Sequence, residues 1–268
     1  MSFSASGKRK VLLVLVAVSL AVCLASCGRG TKAQTTSERP VITVGSEDYP
    51  PFVDMDNNGD PTGLDMDILR EAFDRLGYDI RFVEIRWEYK DRFLESGEVD
   101  CVTGGFTMEG RQSDYLWAGP YVNSNQVVVV NANSGIDSLA DLEGKTVAVQ
   151  AASIAEDILL EHSNENIPEN IDVLSYENNA LPFAALGCNY VDALVADEPA
   201  VIQYMKDYNT AFTILDEPVM YATIGTAFAK DGDAQLCAKL NDAINQMRED
   251  GTLAEIINKY LGGADFEK

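Results

Sequence analysis

Two successive runs of strand followed by helix constrain this chain more than any other feature. The first begins at "VITVG", Val41 to Gly45, a β-branched strand closed by glycine. "GLDMDILREAFDRLG" then puts Leu69, Phe73 and Leu76 on one face of a helix that stops at Gly77. "YDIRFVEI", "KDRFLESG" and "VDCVTGG" continue as strand, helix and strand. After the long strand "SNQVVVVN", a second block alternates through "KTVAVQ", "SIAEDILLEH", "IDVLSY", "NNALPFAALGC", "VDALVAD" and "EPAVIQYMKD". The segment "TIGTAFAK" and two amphipathic helices, "DAQLCAKLNDAINQMREDG" and "TLAEIINKYLGG", complete the pattern. Alternation of this kind builds mainly parallel sheets flanked by helices, and two blocks imply two lobes.

Open α/β sheets bind ligands beyond the carboxyl ends of their strands. Those ends here read "SEDYPPF" and "TGGFTMEGR" in the first block, "QAASIAE" and "ADEP" in the second. A cleft with binding groups from both walls is the economical arrangement. "TGGFTMEGR", Thr103 to Arg111, has two readings. Its glycines suit a turn. Its arginine fork, lying a few residues from a Thr hydroxyl and from backbone that glycine leaves open, suits a carboxylate.

Lys8, Arg9 and Lys10 precede an apolar run, Val11 to Ala25, that is too short and wrongly flanked for a membrane span and reads as a secretory signal. "LASC", Leu24 to Cys27, resembles the lipobox of bacterial lipoproteins. That resemblance implies cleavage before Cys27, lipid on its thiol, and a tether "GRGTKAQTTSERP" on the outer face of the cytoplasmic membrane. Of five cysteines, Cys101, Cys188 and Cys237 remain in the body without metal-like spacing, each read as a small buried hydrophobe, with one disulfide at most. The chain carries 20 basic and 43 acidic residues, a net charge of −23. Such a body repels nucleic acid and anionic lipid, so contact with the membrane is expected through the lipid alone. Isolated basic residues inside motifs, Arg111 among them, therefore stand out.

The ordered set "VGSEDYPPF", "GLDMDILREAFDRLG", "FVEIRWEYKDRFLESGEVD", "GR" with "AGPYV", "LEGKTVAVQAASIAE", "YVDALVADEP" and "LNDAINQMREDGTLAEIINKY" resembles the polar amino-acid solute-binding proteins of bacterial ABC transporters, family 3. The resemblance spans Val41 to Tyr260. It implies a two-lobed, periplasmic-binding-protein-like (type II) α/β fold, with two crossing strands near Val122 and Asn123 and near Thr223 and Ile224, closing on its ligand by a hinge. The expected organisation is a lipoprotein signal peptide at 1–26, a lipidated tether at 27–40, lobe 1 at 41–122 and 224–268, and lobe 2 at 123–223. The implied function is a monomeric, lipid-anchored extracytoplasmic receptor that hands an amino acid to ABC permease subunits, with no cofactor and no metal.

The resemblance also implies roles for individual residues. Arg111, with Thr107 and backbone N–H groups around Gly105 and Phe106, matches the clamp for an α-carboxylate, although the spacing from Thr107 to Arg111 is one residue shorter than the family pattern. Ser153 and Ile154 open a helix on the second wall, whose free N–H groups favour an anion; Ser153 with Glu156 also reads as a capping box. Asp197 matches the carboxylate that meets the α-ammonium group and equally suits a cap before Pro199. Tyr49, Phe52 and Trp87 align with residues that pack on the ligand side chain, while aromatics are also core formers; Trp87, followed by Glu88, Tyr89 and Lys90, is not on an obviously buried stripe. Glu47 is either a partner for a basic side chain or a surface acid.

Two other functions fit the same fold. One is a dehydratase acting on a cyclic carboxylate, for which the only histidine, His162 in "LEHSNEN", has no nucleophile or metal partner by spacing. The other is a sensor module, which would be followed by a signalling or membrane segment where this chain ends at "GGADFEK".

Overall fold

The computed structural model describes residues 39–262. The signal peptide, Cys27 and most of the tether read from the sequence lie outside them. In chain order the elements are β1 (Val41–Ser46), β2 (Asp54–Met55), β3 (Pro61–Thr62), α1 (Leu64–Arg75), β4 (Asp79–Glu84), α2 (Lys90–Ser96), β5 (Cys101–Val102), β6 (Tyr115–Asn123) and β7 (Gln126–Asn131). There follow β8 (Thr146–Gln150), α3 (Ile154–Leu160), β9 (Asp172–Tyr176), α4 (Ala180–Gly187), β10 (Ala193–Asp197), α5 (Glu198–Tyr208), β11 (Phe212–Ile214), β12 (Thr223–Ala229), α6 (Ala234–Asp250) and α7 (Thr252–Leu261).

These strands form two five-stranded sheets, ordered β4-β1-β5-β12-β6 in lobe 1 and β11-β7-β10-β8-β9 in lobe 2, beside the β2-β3 hairpin. In each sheet the βαβ strands pair in parallel, β1 with β4 and β5, β8 with β9 and β10. The antiparallel pairs involve the strands next to the crossings, β12 with β6 and β7 with β10. Alternate side chains feed opposite faces. Val127 and Val129 pack with Phe183 and Leu186, whereas Val128 and Val130 pack with Leu139 and Ile158. Burial on both faces explains the unbroken "VVVV". Likewise Cys101 joins Phe73 and Leu240 on one face of lobe 1, and its neighbour Val102 joins Trp87 and Phe106 on the other.

The crossing strand expected near Val122 and Asn123 is the end of β6, which begins further back, at Tyr115, and runs through Gly119 and Pro120. It lies at the edge of its sheet, where a proline without N–H costs no ladder bond on the solvent side. The chain leaves lobe 1 after β6 and re-enters it at β12, and the two passages run side by side: Ser124 N donates to Ala222 O and Gln126 N to Met220 O, both at 2.9 Å. Cys101, Cys188 and Cys237 are free thiols; Cys188 corrects the expectation of burial, since it caps the last turn of α4 and is exposed. Among the described residues no helix is long and apolar enough to cross a membrane.

Candidate functional site

The carboxyl ends of β1, β5, β8 and β10 face one another across the gap between the sheets. Beyond β5, the Thr103–Gly105 turn is shaped from behind by Asp65 near the start of α1. Its Oδ2 accepts Thr103 Oγ1 at 2.8 Å, Gly104 N at 2.9 Å and Gly105 N at 3.0 Å. Gly104 (φ 105°) and Gly105 (φ 68°) occupy the left-handed region, and a Cβ on Gly105 would meet Phe52 Cδ2 at 2.7 Å. This corrects the expectation for Gly105: its N–H is already spent on Asp65, so only its open face reaches the cleft.

Past the turn, the chain is stitched to the crossing strand. Met108 N donates to Thr223 O at 2.9 Å and Gly225 N to Phe106 O at 3.1 Å. Glu109 accepts Thr223 N at 2.7 Å and Thr223 Oγ1 at 2.8 Å. The shortened loop closes as a tight turn, Arg111 N to Met108 O at 3.1 Å with Gly110 at φ 79°. It delivers Arg111 over the Phe106 ring, 5.7 Å from its centroid, with 11% of the side chain exposed. Arg111 Nη2 donates across the cleft to Asp157 Oδ2 at 2.6 Å and to Ala152 O at 3.3 Å.

On the opposite wall, Ser153 caps α3, its Oγ accepting Glu156 N at 3.1 Å, while the Glu156 carboxylate accepts Ala152 N at 2.6 Å. The cap uses one lone pair of the hydroxyl and leaves its O–H as a donor. Asp197 behaves otherwise. Although it precedes α5, its side chain makes no capping bond and turns inward, accepting Ser124 Oγ at 2.7 Å, Gln126 Nε2 at 2.8 Å and Tyr49 Oη at 3.1 Å. Glu47 is bonded across the cleft to Gln150 and, at 2.6 Å, to Asn179 Nδ2. Between the walls is a narrow cavity of about 30 Å³, beside a neighbouring one of about 20 Å³.

Residues 42–263 match the sequence model of the bacterial extracellular solute-binding proteins, family 3. The chain belongs to this family.

Two relatives and one solved structure illustrate the kinship. The arginine-binding extracellular protein ArtP of Bacillus subtilis (strain 168) is 29% identical over 95% of this chain and 99% of its own. The L-cystine-binding protein TcyJ of Escherichia coli (strain K12) is 29% identical over 86% of each chain. The crystal structure of Tv2483 bound to L-arginine superposes with a TM-score of 0.77, at 27% identity, over 84% of this chain and 92% of that one. The fold is thus the type II architecture of amino-acid periplasmic binding proteins, and family 3 membership implies an extracytoplasmic location.

Nine of the residues singled out from the sequence line the narrow space: Glu47, Tyr49, Trp87, Gly105 and Thr107, then Arg111, Ser153, Ile154 and Asp197. Phe52 and Phe106 do not. Both are fully buried behind the wall, Phe52 under Tyr49 (5.5 Å between centroids) and Phe106 at the centre of an edge-to-face group with Trp87 (4.8 Å), Trp117 (4.9 Å) and Tyr115 (5.1 Å). Trp87 is both wall and core, 5% exposed, which corrects its reading as lying off any buried stripe.

Gln126 and Gln150 also line the space, Asn179 and Asp157 bond to Glu47 and Arg111, and Lys90 lies against Trp87 outside the cavity; the sequence singled out none of them. Gln150 ends β8, a signal available from strand position alone; Asn179 and Asp157 approach only through the tertiary fold. Burial pushes the carboxyls of Glu47 and Asp197 up to about 7 each, because neither touches a cation and their hydrogen bonds only partly offset the desolvation. Burial, then Arg111 nearby, lowers the Lys90 ammonium. Among the described residues no group of His, Cys, Asp and Glu is arranged to hold a metal ion.

Proposed function

We propose that this protein is an extracytoplasmic receptor for an amino acid whose side chain is cationic or rich in N–H donors. The observation that carries the reading is two buried acids, Glu47 from lobe 1 and Asp197 from lobe 2, that line one cavity together with Arg111. An α-carboxylate meets Arg111 and the backbone at the start of α3, an α-ammonium group meets Asp197, and the side chain runs along Trp87 towards Glu47. Ionised acids without a cation are costly inside a protein, and a ligand bearing two positive groups removes that cost at both places. ArtP and Tv2483, by their names and bound ligand, bind arginine, which fits this chemistry. The present gap is too small for such a ligand, so lobe 1 (41–122 and 224–268) and lobe 2 (123–223) open and re-close around it by bending at the two crossings.

The reading continues with attachment through lipid on Cys27, monomeric action, and delivery of the ligand to ABC permease subunits. Isothermal calorimetry against arginine, lysine, ornithine, glutamine, cystine and glutamate tests the ligand class. Arginine, lysine or ornithine is expected to bind most tightly, and Glu47→Gln to shift the preference towards glutamine. Heat only from glutamate, or from none of the panel, overturns it. Palmitate labelling that persists in Cys27→Ser overturns the anchor.

A further inference from the structure

Lys90 is a buried ionisable group that the proposed ligand contacts leave unused. It opens α2, 4% exposed, and it does not line the cavity. Its aliphatic stem reaches past Trp87, and its ammonium sits 5.2 Å from the Trp87 centroid and 5.9 Å from that of Phe106. Two aromatic faces thus hold the cation in place from within lobe 1. Its hydrogen bond goes the other way, across the cleft, to Ala152 O at 3.1 Å.

That carbonyl is a point of convergence. Arg111 Nη2 donates to it as well, at 3.3 Å, and Ala152 is held at φ 56°, a left-handed conformation that alanine seldom adopts. Two cations of lobe 1 therefore approach one oxygen of lobe 2, with Asp157 2.6 Å from Arg111 as the balancing charge. The acceptors that lobe 2 supplies offset the repulsion between the two cations. Opening the cleft removes both acceptors at once.

We propose that Lys90 is a closure residue: its bond to Ala152 O holds the two lobes together and sets how long a captured ligand is retained, without touching that ligand. The inference rests on the receptor reading for the word ligand, though not for the closure itself. A hydrogen bond from a charged donor, broken on opening, slows escape, and its loss accelerates release by about tenfold or more. Entry is not slowed by its loss, because the ligand enters while the cleft is open and this bond is broken.

Lys90→Met keeps the length of the side chain and removes the charge. In stopped-flow binding of arginine, the variant is expected to release ligand about tenfold faster at an association rate within about twofold of wild type. In ligand-free hydrogen exchange, residues 150–157 are expected to exchange faster in the variant, while α6 is unchanged. Unaltered exchange at 150–157 overturns closure by Lys90, whether or not any amino acid binds. An unchanged release rate, or an equal fall in the association rate, overturns it too. Amine labelling of the wild-type protein, read by mass spectrometry, needs no variant: ligand is expected to suppress labelling of Lys90 and not of exposed Lys230. Equal labelling of Lys90 with and without ligand contradicts the proposal. Failure of every amino acid to bind wild type defeats the receptor reading and leaves the exchange measurement to decide the closure.

Discussion

Tyr49 Oη lies 3.1 Å from Asp197 Oδ2, a contact that joins the first loop of lobe 1 to the last βα junction of lobe 2 inside the cleft. Ser124 and Gln126 hold the other carboxylate oxygen, so Tyr49 is the one partner of Asp197 that comes from lobe 1. Tyr49→Phe is expected to weaken ligand binding about tenfold, the worth of one hydrogen bond to a charged group. Asp197→Asn is expected to weaken it more, because the charge that meets the ammonium group is gone. Calorimetry on both variants checks the order; equal losses count against it.

Binding is expected to depend on pH through the buried acids. Glu47 is raised from 4.5, and Asp197 from 3.8, to about 7 each. A raised carboxyl contributes stability that is complete below its unfolded pKa and is lost as pH climbs through the folded one. Glu47→Gln lacks this loss. Its melting temperature relative to wild type is therefore expected to rise between about pH 4.5 and 7 and then level off. A cationic ligand favours the ionised acids, so near pH 6.5 its binding releases protons, measurable by calorimetry in buffers of differing ionisation enthalpy. Proton uptake contradicts the assignment.

Asp65 holds two backbone N–H groups and one hydroxyl at the turn that begins the clamp. Asp65→Ala leaves these donors buried without an acceptor and is expected to cost about 3 kcal/mol in urea unfolding, with Asp65→Asn costing less. Ligand affinity should fall in both, since Thr107 and Arg111 hang from the same turn. Wild-type stability in Asp65→Ala means that the turn stands without it.

Arg111 divides its contacts between the cavity and Asp157. Arg111→Ala is expected to abolish binding of every α-amino acid, at least about a hundredfold, since two charge-assisted bonds are lost. Asp157→Ala, at a half-exposed position, is expected to cost tenfold or less, because Arg111 keeps its place over Phe106 and Ala152. Comparable losses in the two variants would mean that Asp157 orients the guanidinium.

The two-lobed plan was legible because strand–helix alternation and strand ends depend on local sequence. Arg111, Thr107 and Asp197 could be found at those ends for the same reason. Depth was harder to read. Phe52 and Phe106 sit one layer behind the wall, and nothing in "YPPF" or "GGF" separates a residue that touches the cleft from one that supports it. Lys90 follows Trp87 in a charged stretch and looks like surface, yet the neighbouring Trp87 ring and the Phe106 ring from beyond β5 cover its ammonium. Asp65 lies on the inner face of an amphipathic helix at a position usually given to an apolar residue, and its reason appears only when β5 brings the glycines within 3 Å.

The two passages between the lobes are bonded to each other, Ser124 to Ala222 and Gln126 to Met220. They therefore form a ribbon. A two-stranded ribbon flexes more readily across its thin direction than it shears one strand along the other. Glu109 anchors the turn that carries Thr107 and Arg111 on Thr223 at the ribbon's edge, so bending the ribbon moves that turn. A reporter attached beside that anchor, at the exposed Tyr221, would register occupancy of the cleft as a change in bend, which makes this receptor a natural frame for a sensor.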